Sequence, residues 1–388
     1  MAEGLLSSGH IELGIIAFGA ESGFIQRDFG RVKQWLVSSR LALAKDGLPP
    51  IAFVNLIIEA INNFKPDLIH CWGTEFFWGL LTSRGLLSYP ALLEIQGLKG
   101  PYSKYFLGGL TFSEQLRCVS IKELLKRRTM LTDQRDFAHW GLREAEIIRG
   151  HHFIDVQSPW VVAHVSFHNP GARQFSVDLA LRKPFYETKD WQPPGKPNLF
   201  CSAAGPVPYK GLHVAVRALA RLRKRIPEAR LRIAGAHQRM GIRQEGYIRW
   251  VNRLIRQLML ADAIDWLGPL NACQIVKELQ TSAAVLIPTF IENCCTAMQE
   301  AMAIGAPVVV SFVGGIPSLA HDGESCLFFP PGDEAMCAYQ LERVLTDEAL
   351  ALRLSRESRK ISAVRNDRQR IVQRQLDIYC NVLEAQNR

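Results

Sequence analysis

Residues Ile287–Gly315 read IPTFIENCCTAMQEAMAIGAPVVVSFVGG. The apolar run leading into them, Ala283–Ile287, has the character of a buried parallel strand, and Pro288 ends it. A polar loop carrying Glu292 and Asn293 follows. The small residues Cys294, Cys295, Thr296 and Ala297 open a helix that continues through Met298, Ala301 and Met302. Gly305 stops this helix, Pro307 leads into the strand VVVSF, and Gly314-Gly315 makes a second tight loop.

This arrangement has a chemical use. Small residues at a helix start let an anion approach bare backbone N–H groups at the positive end of the helix dipole. Glu292 lies on the loop before the helix, and Glu300 lies within its first turns. Two carboxylates repel phosphate, but each accepts a pair of sugar hydroxyls through its two oxygens. A ligand with hydroxyls at both ends and phosphate between them, a nucleotide sugar, fits that pattern. Two ordinary surface glutamates beside a core helix would have the same spacing.

The longer string is more specific. Glu292, Glu300, Ala301, Met302, Gly305, Pro307, Val308, Val309, Ser311, Gly314, Gly315, Ile316 and Pro317 are followed by Asp322, Gly323, Leu327, Pro330, Pro331, Gly332 and Asp333. In this order they resemble the donor-site signature of the family 4 glycosyltransferases, enzymes of the GT-B fold. The segment KPDLIHCWGTE, Lys65–Glu75, is similar to the first domain of the same family.

The rest of the chain is compatible with this resemblance. Its 388 residues suffice for two domains, and 48% hydrophobic against 21% charged residues is ordinary for a globular protein with a full core. No run of eighteen apolar residues occurs, and the N-terminus lacks the basic region and apolar core of a signal peptide. The nine cysteines show no metal-ligand spacing, which suits a reducing cytoplasm. A net charge of +9 suits an anionic partner, either a nucleotide diphosphate or an anionic membrane surface, and no nucleic-acid module is present.

Along the chain, MAEGLLSSG reads as a helix end, Ile11–Phe18 as a strand, and residues 20–50 as poorly patterned. Ile51–Phe64 is an amphipathic helix, Asp67–Cys71 a strand and Ala91–Gly97 another. Pro101–Arg128 is helix-rich with a basic end, Lys126-Arg127-Arg128. It suits either a membrane surface or packing on its own domain. The proline-rich stretch 184–197 reads as a linker. From residue 198 onward strands and helices alternate, which predicts a doubly wound parallel sheet with its strand-end loops on one ligand-binding edge. That edge collects Gly205–Gly211, Gly235, Gly268, Glu292–Thr296 and Gly314-Gly315.

The loop Ala203–His213, AAGPVPYKGLH, presents Lys210, a compact charge with three donors. The resemblance implies an arginine and a lysine here on the donor diphosphate. This chain keeps Gly205, Lys210 and Gly211 but has Pro206 in place of the arginine, and Arg239 is a candidate replacement. Gln96 stands where family members carry a histidine, and glutamine cannot exchange protons near neutral pH. Against the family pattern the chain is expected to start inside the first helix, without the first strand and its glycine-rich loop.

The resemblance implies two Rossmann-like domains facing across a cleft: an acceptor-side domain at 1–190, a donor-binding domain at 191–365, and a last helix, 366–388, returning to the first domain. It implies a retaining hexosyltransferase that moves sugar from a UDP- or GDP-linked donor to a glycan or lipid-linked acceptor, with no cofactor and no obligatory metal. Glu292 and Lys210 take the catalytic roles. Gly205, Lys210, Gly211, Gly268, Asn293, Cys294, Cys295, Thr296 and Glu300 hold the donor, and Glu75 and Gln96 lie on the acceptor side. The expected location is cytoplasmic, with peripheral contact at the inner face of the membrane. Two alternatives stay open: a GT-B nucleotide-sugar binding protein with impaired catalysis, and a nucleotide-sugar epimerase.

Overall fold

The structure, a computed structural model, describes residues 1–9, 11–20, 23–202, 207–235 and 246–386. It contains two compact units. The first comprises Met1–Gly100, His139–Ala180 and the chain from Asp367 onward; the second comprises Pro101–Ala138 and Leu181–Asn366.

The first unit holds two sheets. One has the order β1-β3-β2, with β1 (Leu13–Gly19) parallel and β2 (Phe24–Asp28) antiparallel to β3 (Val32–Ser38). The other is wholly parallel, β4 (Ile69–Trp72), β5 (Ala91–Glu94), β6 (Phe153–Asp155) and β7 (Arg173–Phe175), side by side in that order. The helix Ile51–Phe64 joins the two and buries Val54, Ile57 and Ala60, the stripe its periodicity predicts. Lys65 in the left-handed region closes it, just before Pro66. Successive strand residues point to opposite faces. Cys71, Leu93 and Ile154 therefore meet Val54 and Ile57 in one core. Leu92, Phe153 and Phe175 on the other face are covered by Ile371, Ile378 and Val382 of the last helix, Arg368–Gln386. Residues 20–50, unpatterned in sequence, contain β2 and β3. The polar Lys33 and Gln34 inside β3, and the shortness of β2, hide the alternation.

The second unit is built on one six-stranded parallel sheet: β8 (Asn198–Ser202), β9 (Arg230–Ala234), β10 (Ile264–Gly268), β11 (Ala284–Ile287), β12 (Val308–Ser311) and β13 (Leu327–Phe329). Their order is β10-β9-β8-β11-β12-β13. The central strands AVLI and VVVS are buried throughout, as the apolar runs require. From β8 the chain winds one way through β9 and β10. It then crosses back to β11 and winds the other way. The loops after β8 and β11 therefore diverge at the switch point, where open α/β sheets bind ligands.

Two expectations about organisation are corrected. Residues 184–197 are no linker: the stretch lies inside the second unit. Trp191 is only 3% exposed, and its indole N–H donates to the Ser282 carbonyl at 2.8 Å. Residues 101–138, assigned in sequence to the first domain, belong to the second unit. There Tyr102, Phe106 and Phe137 gather round Tyr209, and the carbonyl of Gly108 accepts from buried His213 at 3.0 Å.

Candidate functional site

The switch point of the second unit collects most of the predicted site. The loop after β8 forms a short 3-10 turn, Pro208–Lys210, and turns into the helix Leu212–Leu222 at Gly211. Gly211 has φ +71°, and a Cβ there would land on the Pro288 carbonyl oxygen. Only glycine lets the two loops come this close. They are then laced together: Phe290 N–H donates to the Tyr209 carbonyl at 2.7 Å, and the Thr289 hydroxyl donates to the same oxygen at 3.1 Å.

This lacing brings Lys210 onto Glu292. The Lys210 ammonium donates to Glu292 Oε1 and forms an ion pair with it. Burial works to lower the Lys210 pKa, but the charge and hydrogen bond of Glu292 reverse this and raise it to about 12. Lysine therefore stays cationic in a site that excludes most water. Gly314-Gly315 supports Glu292 from behind. Gly315 N–H donates to the Glu292 carbonyl at 2.9 Å, and Gly314, at φ +52°, sits so close that a Cβ would strike that oxygen.

The helix Thr296–Ile304 starts beside this pair. Cys295 is its N-cap and supplies no side-chain cap, while Gly305 closes it in the left-handed region. Asn293 and Cys295 are buried, Cys294 is half-buried and Thr296 is exposed. Burial, first of all, and the Glu292 carboxylate push the Cys295 thiol up to about 12, so it is no thiolate and no nucleophile at neutral pH. Gln299 binds the Cys294 sulfur at 2.9 Å and accepts from Asn366 at 2.8 Å, which fixes the helix start to the end of the unit.

Glu300 lies in the same helix and is 7% exposed at its side chain. Arg182 reaches it with two N–H donors, at 3.1 and 2.6 Å on one oxygen. Burial pushes the Glu300 carboxyl up, and Arg182 opposes that. Sequence reading missed Arg182, since a single arginine before a proline-rich stretch carries no periodic or motif signal. Gly268 ends β10 with φ +69° and accepts from Gly235 N–H at 2.8 Å, on the same strand-end edge but at the outer strand. Gly205, Pro206 and Arg239 lie outside the described residues.

The two acceptor-side candidates are in the first unit. The Gln96 amide donates to Glu94, a buried carboxylate that also meets Gln157 at 2.8 Å and His70 at 3.1 Å. Glu75 lies on the loop after β4. Burial pushes its carboxyl up against hydrogen bonds from its own loop and the charge of Lys99, whose ammonium donates to the Glu75 carbonyl at 2.5 Å. Next to Glu94, burial and then the Glu94 charge push the Asp155 carboxyl up to about 8.

Residues 186–361 match the family model described as glycosyl transferases group 1. The chain is 33% identical over 152 residues to the D-inositol 3-phosphate glycosyltransferase of Stackebrandtia nassauensis, covering 38% of this chain and 34% of that protein. It is 31% identical over 151 residues to the glycogen synthase of Mycobacterium tuberculosis, covering 39% and 34%. The match thus spans about a third of the length of these curated relatives. Among solved structures, sucrose-phosphate synthase from Thermosynechococcus elongatus superposes with TM-score 0.74 at 17% identity, covering 98% of this chain and 91% of that one. HepE from Anabaena, in complex with UDP-glucose, gives 0.64 at 15%, covering 86% and 84%. The fold is the α/β GT-B fold of these proteins.

Proposed function

We propose that the chain is a retaining glycosyltransferase that moves a hexose-type sugar from a UDP- or GDP-linked donor to a glycan or lipid-linked acceptor. The observation that carries this is the pairing of Lys210 with Glu292 at the switch point, beside the start of the helix that bears Glu300. Lys210 and the first N–H groups of that helix meet the donor diphosphate and stabilise it as it departs. Glu292 meets the donor sugar hydroxyls, exchanging its contact with Lys210 for them. Glu300 meets the ribose hydroxyls. In the transfer the bond from the anomeric carbon to the phosphate oxygen breaks and a bond to the acceptor oxygen forms. The acceptor proton leaves with the diphosphate. Glu75 and Gln96 lie on the acceptor side. The reading calls for no organic cofactor and no obligatory metal. The nucleotide sugars of HepE and the group 1 match support the donor class.

One observation favours a second reading, a donor-binding protein with impaired catalysis: the Gln96 amide, in place of a histidine, is engaged with Glu94 and transfers no proton. The test is calorimetric titration of UDP, GDP and ADP and their sugar conjugates, followed by donor turnover with candidate acceptors. One nucleotide binds, and Lys210→Ala weakens it about ten- to hundred-fold, the worth of charge-assisted hydrogen bonds. Glu300→Ala weakens it comparably. Glu292→Ala keeps nucleotide binding and loses turnover. Binding without turnover selects the second reading, and absence of all nucleotide binding refutes both.

A further inference from the structure

The helices Phe112–Cys118 and Ile121–Leu125 carry a cluster of large apolar side chains turned to solvent: Leu125 is 81% exposed, Ile121 77% and Phe112 75%, with Leu116 and Leu124 beside them. The same stretch holds five cations, Arg117, Lys122, Lys126, Arg127 and Arg128. Among the described residues only Arg128 reaches a carboxylate, Asp133 at 3.4 Å. The two acidic residues of the stretch are turned inward. Glu114 is held by Arg217 and by the Thr111 N–H at 2.9 Å. Glu123 accepts from Gly246 N–H at 2.9 Å and Ser120 N–H at 2.7 Å.

Charge and apolar surface are thus sorted: anions bind the body of the second unit, while Arg117, Lys126, Arg127, Arg128 and the hydrocarbon face out and Lys122 is half-buried. The sorting is fixed mechanically. Arg249 donates to the Val119 carbonyl at 3.0 Å, and a Cβ on Gly246 would land on the Cys118 carbonyl, so the two helices sit hard against Gly246–Gln257. Arg127 closes the second helix in the left-handed region at φ +50°.

We propose that this face docks on an anionic phospholipid bilayer. A lipid surface satisfies both kinds of side chain at their own depths: phosphate and carboxylate headgroups take the cations, and the acyl boundary takes Phe112, Ile121 and Leu125. A second copy of the chain meets like charge with like charge. A nucleic acid satisfies the cations and leaves the hydrocarbon in water. The inference stands apart from the donor-site reading, since none of these residues belongs to that site. It also gives the face a link to the site. Gly108, on the same excursion, is packed so closely on the Pro208 carbonyl that a Cβ would strike it, two residues from Lys210.

The experiment is flotation of the full chain with vesicles of phosphatidylcholine alone and with one third phosphatidylglycerol. The chain floats with the anionic vesicles, and raising the salt releases it. Each cation near the surface is worth about five-fold in partition, so the triple charge reversal of Lys126, Arg127 and Arg128 to Glu lowers it at least about a hundred-fold. Leu125→Ser with Ile121→Ser lowers it about ten-fold or more while leaving the salt dependence. These positions are exposed, and unchanged nucleotide binding and unfolding temperature show that the variants fold. Equal flotation with neutral vesicles overturns the proposal, as does absence of flotation. A concentration-dependent dimer abolished by the same substitutions, without flotation, assigns the face to a second copy and overturns it too.

Discussion

Replacing Arg182 by alanine tests the least expected contact of the site. The pair it forms with Glu300 is asymmetric: the carboxylate side chain is 7% exposed and the guanidinium side chain 49%. Breaking a fully buried pair costs about 3–5 kcal/mol because the remaining charge stays desolvated. Breaking an exposed one costs less than about 1 kcal/mol. With one end buried and the other half in solvent, Arg182→Ala should destabilise the second unit by about 2 kcal/mol, and differential scanning calorimetry should show a drop of about 4–8 °C in Tm. Nucleotide affinity gives an independent readout. Burial already raises the Glu300 pKa and Arg182 restrains that rise. Without Arg182 the carboxyl takes up its proton at higher pH. The ionised form, which the proposed ribose contact requires, is then lost earlier as pH falls. Calorimetric titration of the nucleotide between pH 5 and 8 should show the variant losing affinity at a higher pH than the parent. Arg182→Lys keeps one point charge and should lie between the two. A Tm within 1 °C of the parent, together with superimposable pH profiles, would refute the coupling of Arg182 to Glu300.

Three further outcomes follow from the same structure. Gly314→Ala places a methyl group against the Glu292 carbonyl at φ +52°; turnover should fall at least about a hundred-fold in steady-state assays, the scale of a catalytic group misplaced by about an ångström. Asp155, with its folded pKa raised to about 8, binds a proton between pH 4 and 8 that the unfolded chain releases, so stability declines as pH rises through that window. Asp155→Asn should flatten that decline and raise Tm at pH 8 while leaving it nearly unchanged at pH 4, as followed by thermal unfolding. Trp191→Ala removes a buried indole and its hydrogen bond to Ser282, and should cost about 3–5 kcal/mol in denaturant unfolding, whereas a true linker position would tolerate it.

The second unit was legible because its code is local. Apolar runs such as VVVS, the glycine after a helix and the proline before a strand each act within a few residues, and six parallel strands repeat the same signals. Gly211, Lys210, Glu292 and Glu300 could be placed on one sheet edge for that reason. The contacts that tune them could not. Arg182 reaches Glu300 from 118 positions away in sequence, and nothing in its neighbours marks it. The Lys210–Glu292 pair joins two loops 82 positions apart, and whether two charges on one sheet edge also touch each other is decided by loop packing, not by composition. Proline content misled at 184–197: proline limits the backbone but does not keep Phe185 and Trp191 out of a core. The stretch 101–138 was misassigned because its attachment rests on Tyr209, His213 and Gly246, all distant in sequence.

The last helix has a consequence for how the chain is made. Its residues Ile371, Ile378 and Val382 cover Leu92, Phe153 and Phe175, so one face of the first unit's parallel sheet waits for the helix Arg368–Gln386. Nearly two hundred residues separate Val177 from Ile371. At typical ribosome speeds this is a delay of roughly 10–40 s, during which the rest of the second unit, Leu181–Asn366, emerges and can fold with the residues 101–138 already made, while the first unit stands open. Birth order and completion order are therefore reversed between the two units. Stop codons or proteolysis near residue 370 would strip the first unit of its cover and leave the second one whole, so chaperone demand should concentrate on the residues translated first.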